Sequence, residues 1–88
     1  MMYYDRQGRP MGRNEWAAAF QENGVAKTDV GDVSVSTVWL GLDHGHGGGP
    51  PVIFETMVFG GPLDGEQERY STEAEALAGH AAMVERVR

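Results

Sequence analysis

Val33–Gly61, VSVSTVWLGLDHGHGGGPPVIFETMVFGG, is the stretch on which the fold turns. It holds two apolar, β-branched runs separated by a segment of Gly, His, Asp and Pro, the pattern of two strands and their connection. With period two, Val33, Val35, Thr37 and Trp39 point one way and Ser34, Ser36, Val38, Leu40 and Leu42 the other. Val38–Leu42 and Val52–Phe59 are apolar on both faces, which predicts cover on both sides. The helices are expected to supply one cover, and a partner subunit or a ligand the other. The connection, Asp43 to Pro51, is longer than a hairpin needs.

Upstream, Val25–Val30 alternates weakly, and Gly31-Asp32 is a tight turn joining it to the Val33 strand as a hairpin. Arg13 or Asn14 to about Glu22 is predicted as a short helix, with Asn14 as N-cap, Trp16, Ala19 and Phe20 on one face, and Asn23-Gly24 as its stop. Before it, Tyr3 and Tyr4 suit a short strand or an edge cover, followed by a turn at Asp5–Gly8. Downstream, Gly60–Pro62 closes the third strand, and Leu63–Glu68 reads as a polar connection. Thr72 and Glu75 have capping-box spacing, so the last helix starts there and runs to about Val87. Its expected buried stripe is Ala74, Leu77, Ala81 and Val84, widened by Met83 and Val87. His80 is expected on its flank and Gly79 on the polar side. The predicted architecture is a single α+β domain, 1–88: a short N-terminal helix, a three-stranded antiparallel sheet with room for an extra N-terminal strand, and a C-terminal helix packed on the sheet.

An 88-residue chain buries a modest share of its surface, and with no cysteine it lacks disulfide and thiolate-zinc staples. Self-association is the remaining common source of stability, so a homo-oligomer, a dimer or larger, is expected. Seven basic residues against thirteen acidic ones, net charge −6, argue against a phosphate-tracking nucleic-acid surface. A small anion held by backbone N–H groups and one or two arginines remains compatible with that balance. No run reaches the length of a membrane span and the start lacks a signal-peptide core, so a cytoplasmic protein with no membrane partner is expected.

The residues that carry chemistry cluster around the Gly-rich segment. Gly45, Gly47, Gly48 and Gly49 let N–H groups converge on an anion, and His44 and His46 add tunable donors. The segment has no GK[ST] ending and no following helix, so it is no Walker A loop. A flexible hairpin tip is the plainer reading. Asp43, His44, His46, Glu55 and His80 lack a helical HExxH pair or a recognisable second shell, so neither a metal centre nor a cofactor is expected. Glu55, inside VIFETMVF, is costly to bury unless paired or functional. A hairpin symmetric about Gly47 puts it opposite Trp39, suited to a ribose diol or a base edge, or else it pairs with Arg69. Arg69 and Tyr70, just before the last helix, offer a charge and a stacking ring, which a subunit interface also enriches.

Three blocks, YYDRQGRPM…EW, STVWLGLDHGHGGGPPVIFETMVFGG and RYSTEAEALAGHAAMV, resemble small proteins encoded by bacteriophages of actinobacteria. That family carries no assigned chemistry. The resemblance implies a setting, a phage accessory protein in the cytoplasm of an infected bacterium. At the level of a class the chain is similar to anti-defence proteins that sequester nucleotide immune signals at homo-oligomer pockets. The expectation is capture of a cyclic ADP-ribose-like molecule or a cyclic dinucleotide, with ligand-binding residues Trp39, His44, His46, Gly47, Gly48, Glu55, Arg69 and Tyr70. One alternative is a phosphodiesterase acting through His44, His46 or His80. The other is a module that inhibits a host protein.

Overall fold

The structure, a computed structural model, describes residues 2–45 and 47–88. Its centre is an antiparallel meander of four strands, not three: β3 (Gly24–Val30), β4 (Val33–Trp39), β5 (Phe54–Phe59) and β6 (Gln67–Tyr70), adjacent in that order. The fourth strand begins in the segment read as a polar connection, Leu63–Glu68, and takes in Arg69 and Tyr70, read as the approach to the last helix. β6 is an edge strand with only Tyr70 as apolar mass, so it carries no hydrophobic alternation to read. The β3–β4 turn has Gly31 at φ +59°, which suits the first central position of a type II′ hairpin.

The N-terminal segment forms a separate hairpin, β1 (Tyr3–Tyr4) with β2 (Pro10–Met11), rather than a fifth strand of the main sheet. Asp5 closes its turn, its Oδ1 accepting from the N–H of Gln7 and of Arg9, both at 2.9 Å. Tyr3 bridges to Leu42, just beyond β4. Helix α1 is shorter than expected, Arg13–Ala19, and tightens into a 3₁₀ turn at Phe20–Glu22. Gly12, not Asn14, is its N-cap, and Asn23 lies in the right-handed region, so no left-handed stop occurs there. Its aromatic side reaches the sheet through a chain of rings: Tyr3–Trp16 at 4.7 Å, Trp16–Phe20 at 5.0 Å and Phe20–Trp39 at 6.2 Å.

Helix α2 (Glu73–Val87) starts where its capping box predicts: the Glu75 N–H donates to Thr72 Oγ1 and the Thr72 N–H to Glu75 Oε1, both at 3.1 Å. It packs against all four strands of the sheet. The buried stripe is Ala76, His80, Met83 and Val84, with Val87 half-buried. Ala74, Leu77 and Ala81 are exposed instead, Leu77 at 48%. The stripe is rotated from the expected one because His80, with both ring nitrogens bonded to threonine hydroxyls, sits at its centre and not on its flank.

The core has three tiers along the strands. An apolar tier holds Val35, Val58, Met83 and Val84, and a second holds Trp39, Ile53, Phe54 and Ala76. Between them lie Thr37, Thr56 and His80, all buried. The opposite face of the sheet, carrying Lys27, Ser34, Ser36, Val38, Glu55, Met57, Phe59 and Arg69, faces away from α2.

Gly79 is packed against Tyr70, not displayed on a polar side: a Cβ there would overlap the Tyr70 hydroxyl and the adjoining ring atoms. Alanine in a helix interior is normally worth about 1 kcal/mol over glycine, whereas overpacking costs about 1–3 kcal/mol. The ring is rigid and sits in the second apolar tier. Gly79→Ala is therefore expected to lower the unfolding free energy in urea. In a Tyr70→Ala background the same substitution is expected to raise it.

Candidate functional site

The residues singled out from sequence fall in three separate places. The first is the Gly-rich loop. Its base is tied by Asp43, whose Oδ1 accepts from the Gly45 and Val52 N–H groups, both at 2.8 Å, while the His44 N–H donates to the Val52 carbonyl at 2.8 Å. Beyond this clasp, Gly47 and Gly48 are exposed, and a Cβ on either would meet only open space. Gly47 and Gly49 have φ of +91° and +108°, values that side chains rarely adopt. His44 is exposed at the loop's start, and His46 lies outside the described residues. Beside the clasp is an open groove of about 340 Å³, lined by Met2, Tyr4, Leu42, Asp43 and His44. Tyr4 and Met2 went unread as site residues: an aromatic head at a chain start signals cover for an edge, and only the tertiary fold sets it beside residue 44.

The second place is the open face of the sheet. Glu55 pairs with Val38 across β4 and with Arg69 across β6. The Arg69 Nε donates to Glu55 Oε2 at 3.0 Å, with the side chains 38% and 15% exposed. A partly exposed pair of this kind is worth about 0–1 kcal/mol. Symmetry about Gly47 would have set Glu55 opposite Trp39, but Trp39 pairs with Phe54. The ladder is displaced by one residue, and one residue moves a side chain to the other face. Glu55 and Trp39 therefore lie on opposite sides of the sheet.

The third place is the core. Trp39 is 1% exposed, so no ring face is available for stacking on a ligand. Tyr70 lies on the α2 face, opposite to its neighbour Arg69, and its hydroxyl donates to Glu68 Oε2 at 3.1 Å. Burial pushes the Tyr70 hydroxyl pKa up from its ordinary value; the Thr56 hydroxyl pulls it down and Glu68 adds to the rise. His80 bonds through Nδ1 to Thr37 Oγ1 at 2.7 Å and through Nε2 to Thr28 Oγ1 at 2.9 Å. Thr37 Oγ1 also meets Thr56 Oγ1 at 2.5 Å. Both ring nitrogens are thus engaged inside the protein, and His80 and His44 do not form one centre.

Among the described residues, no group of three or more His, Asp or Glu is placed to hold a metal ion, and no helix is long and apolar enough to cross a membrane. No protein-family model matches the chain, and neither the curated proteins nor the solved structures contain a match.

Burial lowers the His80 pKa below its ordinary 6.5. Between the lowered folded value and the ordinary one the unfolded chain then binds more protons than the folded one, so stability rises with pH across that window. The contribution is complete above the unfolded pKa and is lost as pH falls through the lowered folded value. Melting temperature is expected to drop from pH 7 to pH 5.5. His80→Gln is expected to be less stable than the parent at pH 7, with the gap narrowing toward pH 5.5.

Proposed function

We propose that this protein binds a small nucleotide-derived ligand in the groove between the β1–β2 hairpin and the Gly-rich loop, and holds it without chemical change. The observation that carries the reading is the groove itself: Tyr4 and His44 line one open space, and a run of exposed glycines follows His44 in the chain. Tyr4 offers an aromatic surface to a base, His44 a donor to phosphate, and the N–H groups of Gly47, Gly48 and Gly49 an anion cradle. Capture rather than cleavage fits the fate of His80, whose nitrogens both engage threonine hydroxyls in the core. In the setting implied by the actinobacteriophage resemblance, the ligand is an immune signal of the cyclic ADP-ribose or cyclic-dinucleotide class. Its capture in the infected cell's cytoplasm by a homo-oligomer would disarm host defence.

A second reading has one observation in its favour. Val38, Met57 and Phe59 share the open sheet face, and Phe59 is 52% exposed, which suits contact with a host protein.

A thermal-shift panel of cyclic and linear nucleotides distinguishes them. At about a hundred times Kd, binding adds about 2.7 kcal/mol, a rise in melting temperature of roughly 10–20 °C for a domain of this size. His44→Ala and Tyr4→Leu are expected to suppress the shift and Arg69→Ala to leave it intact. Ligand released by denaturing the complex is expected to be unaltered; a new product would establish turnover instead. Absence of any shift across the panel would remove the nucleotide reading.

A further inference from the structure

We infer that a second copy of this chain pairs with the first along the free edge of β3, antiparallel and in a register centred on Thr28. Strand β3 is the first in the sheet order and is bonded on one side only, to β4. In the two-residue hairpin, Val30 pairs with Val33, Thr28 with Val35 and Ala26 with Thr37. These pairs, nearest the turn and every second one from it, exchange their backbone bonds within the hairpin. Lys27 and Asp29, which alternate with them opposite Ser36 and Ser34, therefore direct their N–H and C=O groups away from β4.

The side chains match that edge to itself. In an antiparallel ladder about Thr28, Lys27 of one copy stands opposite Asp29 of the other, twice. Ala26 stands opposite Val30, also twice, and Thr28 meets its own counterpart. The outward backbone groups of Lys27 and Asp29 would bond in this register, so charge and hydrogen bonding select one alignment. The pairing adds two locally neutral ion pairs although each chain carries a net charge of −6. Arg6 already covers the start of the strand, donating to the Gly24 carbonyl at 3.1 Å, which leaves the span from Ala26 to Val30 for the partner.

Helix α2 independently points to the same edge. His80 reaches β3 at Thr28, whereas Gly79 lies against Tyr70 of β6, and Arg86 bonds to Glu66 and Glu68. The flank of α2 on the β3 side is therefore the one carrying Leu77 and Ala81, both exposed. The same two-fold axis brings these flanks toward each other. This inference does not depend on the nucleotide reading, though it would supply the self-association that reading calls for.

The test is sedimentation equilibrium of the full chain, without nucleotide, at micromolar to submillimolar concentration. A dimer is expected for the parent. Lys27→Asp and Asp29→Lys each place like charges opposite one another twice, and each is expected to weaken dimerisation at least about tenfold. The double variant K27D/D29K restores opposite charges and is expected to dimerise nearly as the parent does. Circular dichroism of each variant checks folding. A monomeric parent would overturn the inference and make Lys27 a guard against edge pairing. A dimer that ignores the single substitutions, or that the double variant fails to rescue, would also overturn it.

Discussion

The fold depends on one polar tier. His80, Thr37, Thr56 and Thr28 meet where α2 crosses the sheet, between two apolar clusters. Each of these groups would cost about 1–3 kcal/mol if buried without a partner. All of them find partners only when β4 and β5 pair Thr37 with Thr56 and α2 presents His80 above that pair. A slip of one residue along β5 would carry Thr56 to the open face and bury Glu55 in its place. The apolar tiers supply most of the burial, but branched aliphatic side chains accept several alignments. The tier of threonines and one histidine discriminates among them.

Everything placed at the surface follows from that alignment. It turns Glu55 and Arg69 outward, where they pair across adjacent strands, and it turns Trp39 and Tyr70 inward. Beyond the ladder the chain leaves β4 as a Gly-rich loop, and Asp43 clasps the loop's base to Val52, just ahead of β5. The clasp leaves the glycines exposed and sets His44 beside the N-terminal hairpin. The candidate groove is thus a product of the sheet's end, not of its face. Its walls come from segments far apart in the chain.

Much of the fold was legible from local chemistry. The Gly31-Asp32 turn, the Thr72–Glu75 capping box and the alternation through β4 each act over a few residues and survive into the structure. What was not legible depends on distant partners. The register of β4 on β5 is set across a loop whose length leaves the alignment open by one residue, and that residue decides where Glu55 goes. β6 is polar because an edge strand shields itself with charge, so its pattern resembles a connection. The stripe of α2 was misplaced because His80 is polar by composition, though apolar in position once two threonines satisfy it. Of the candidate groove, His44 stood out in the sequence as part of the Gly-rich loop. Tyr4 was not, because nothing near it in sequence reveals its neighbour.

The most direct test of the central constraint is the state of the His80 ring, read from its ¹⁵N chemical shifts by NMR across pH 5–8. A buried ring fixed between Thr28 and Thr37 is expected to remain a neutral, single tautomer at pH values where an exposed histidine is already protonated, with contacts from its ring protons to both threonines. A ring that averages its tautomers and takes up its proton at the ordinary histidine pKa of about 6.5 would contradict it. In that event α2 would not be seated on the threonine pair, and the register that places every surface residue described above would lose its support.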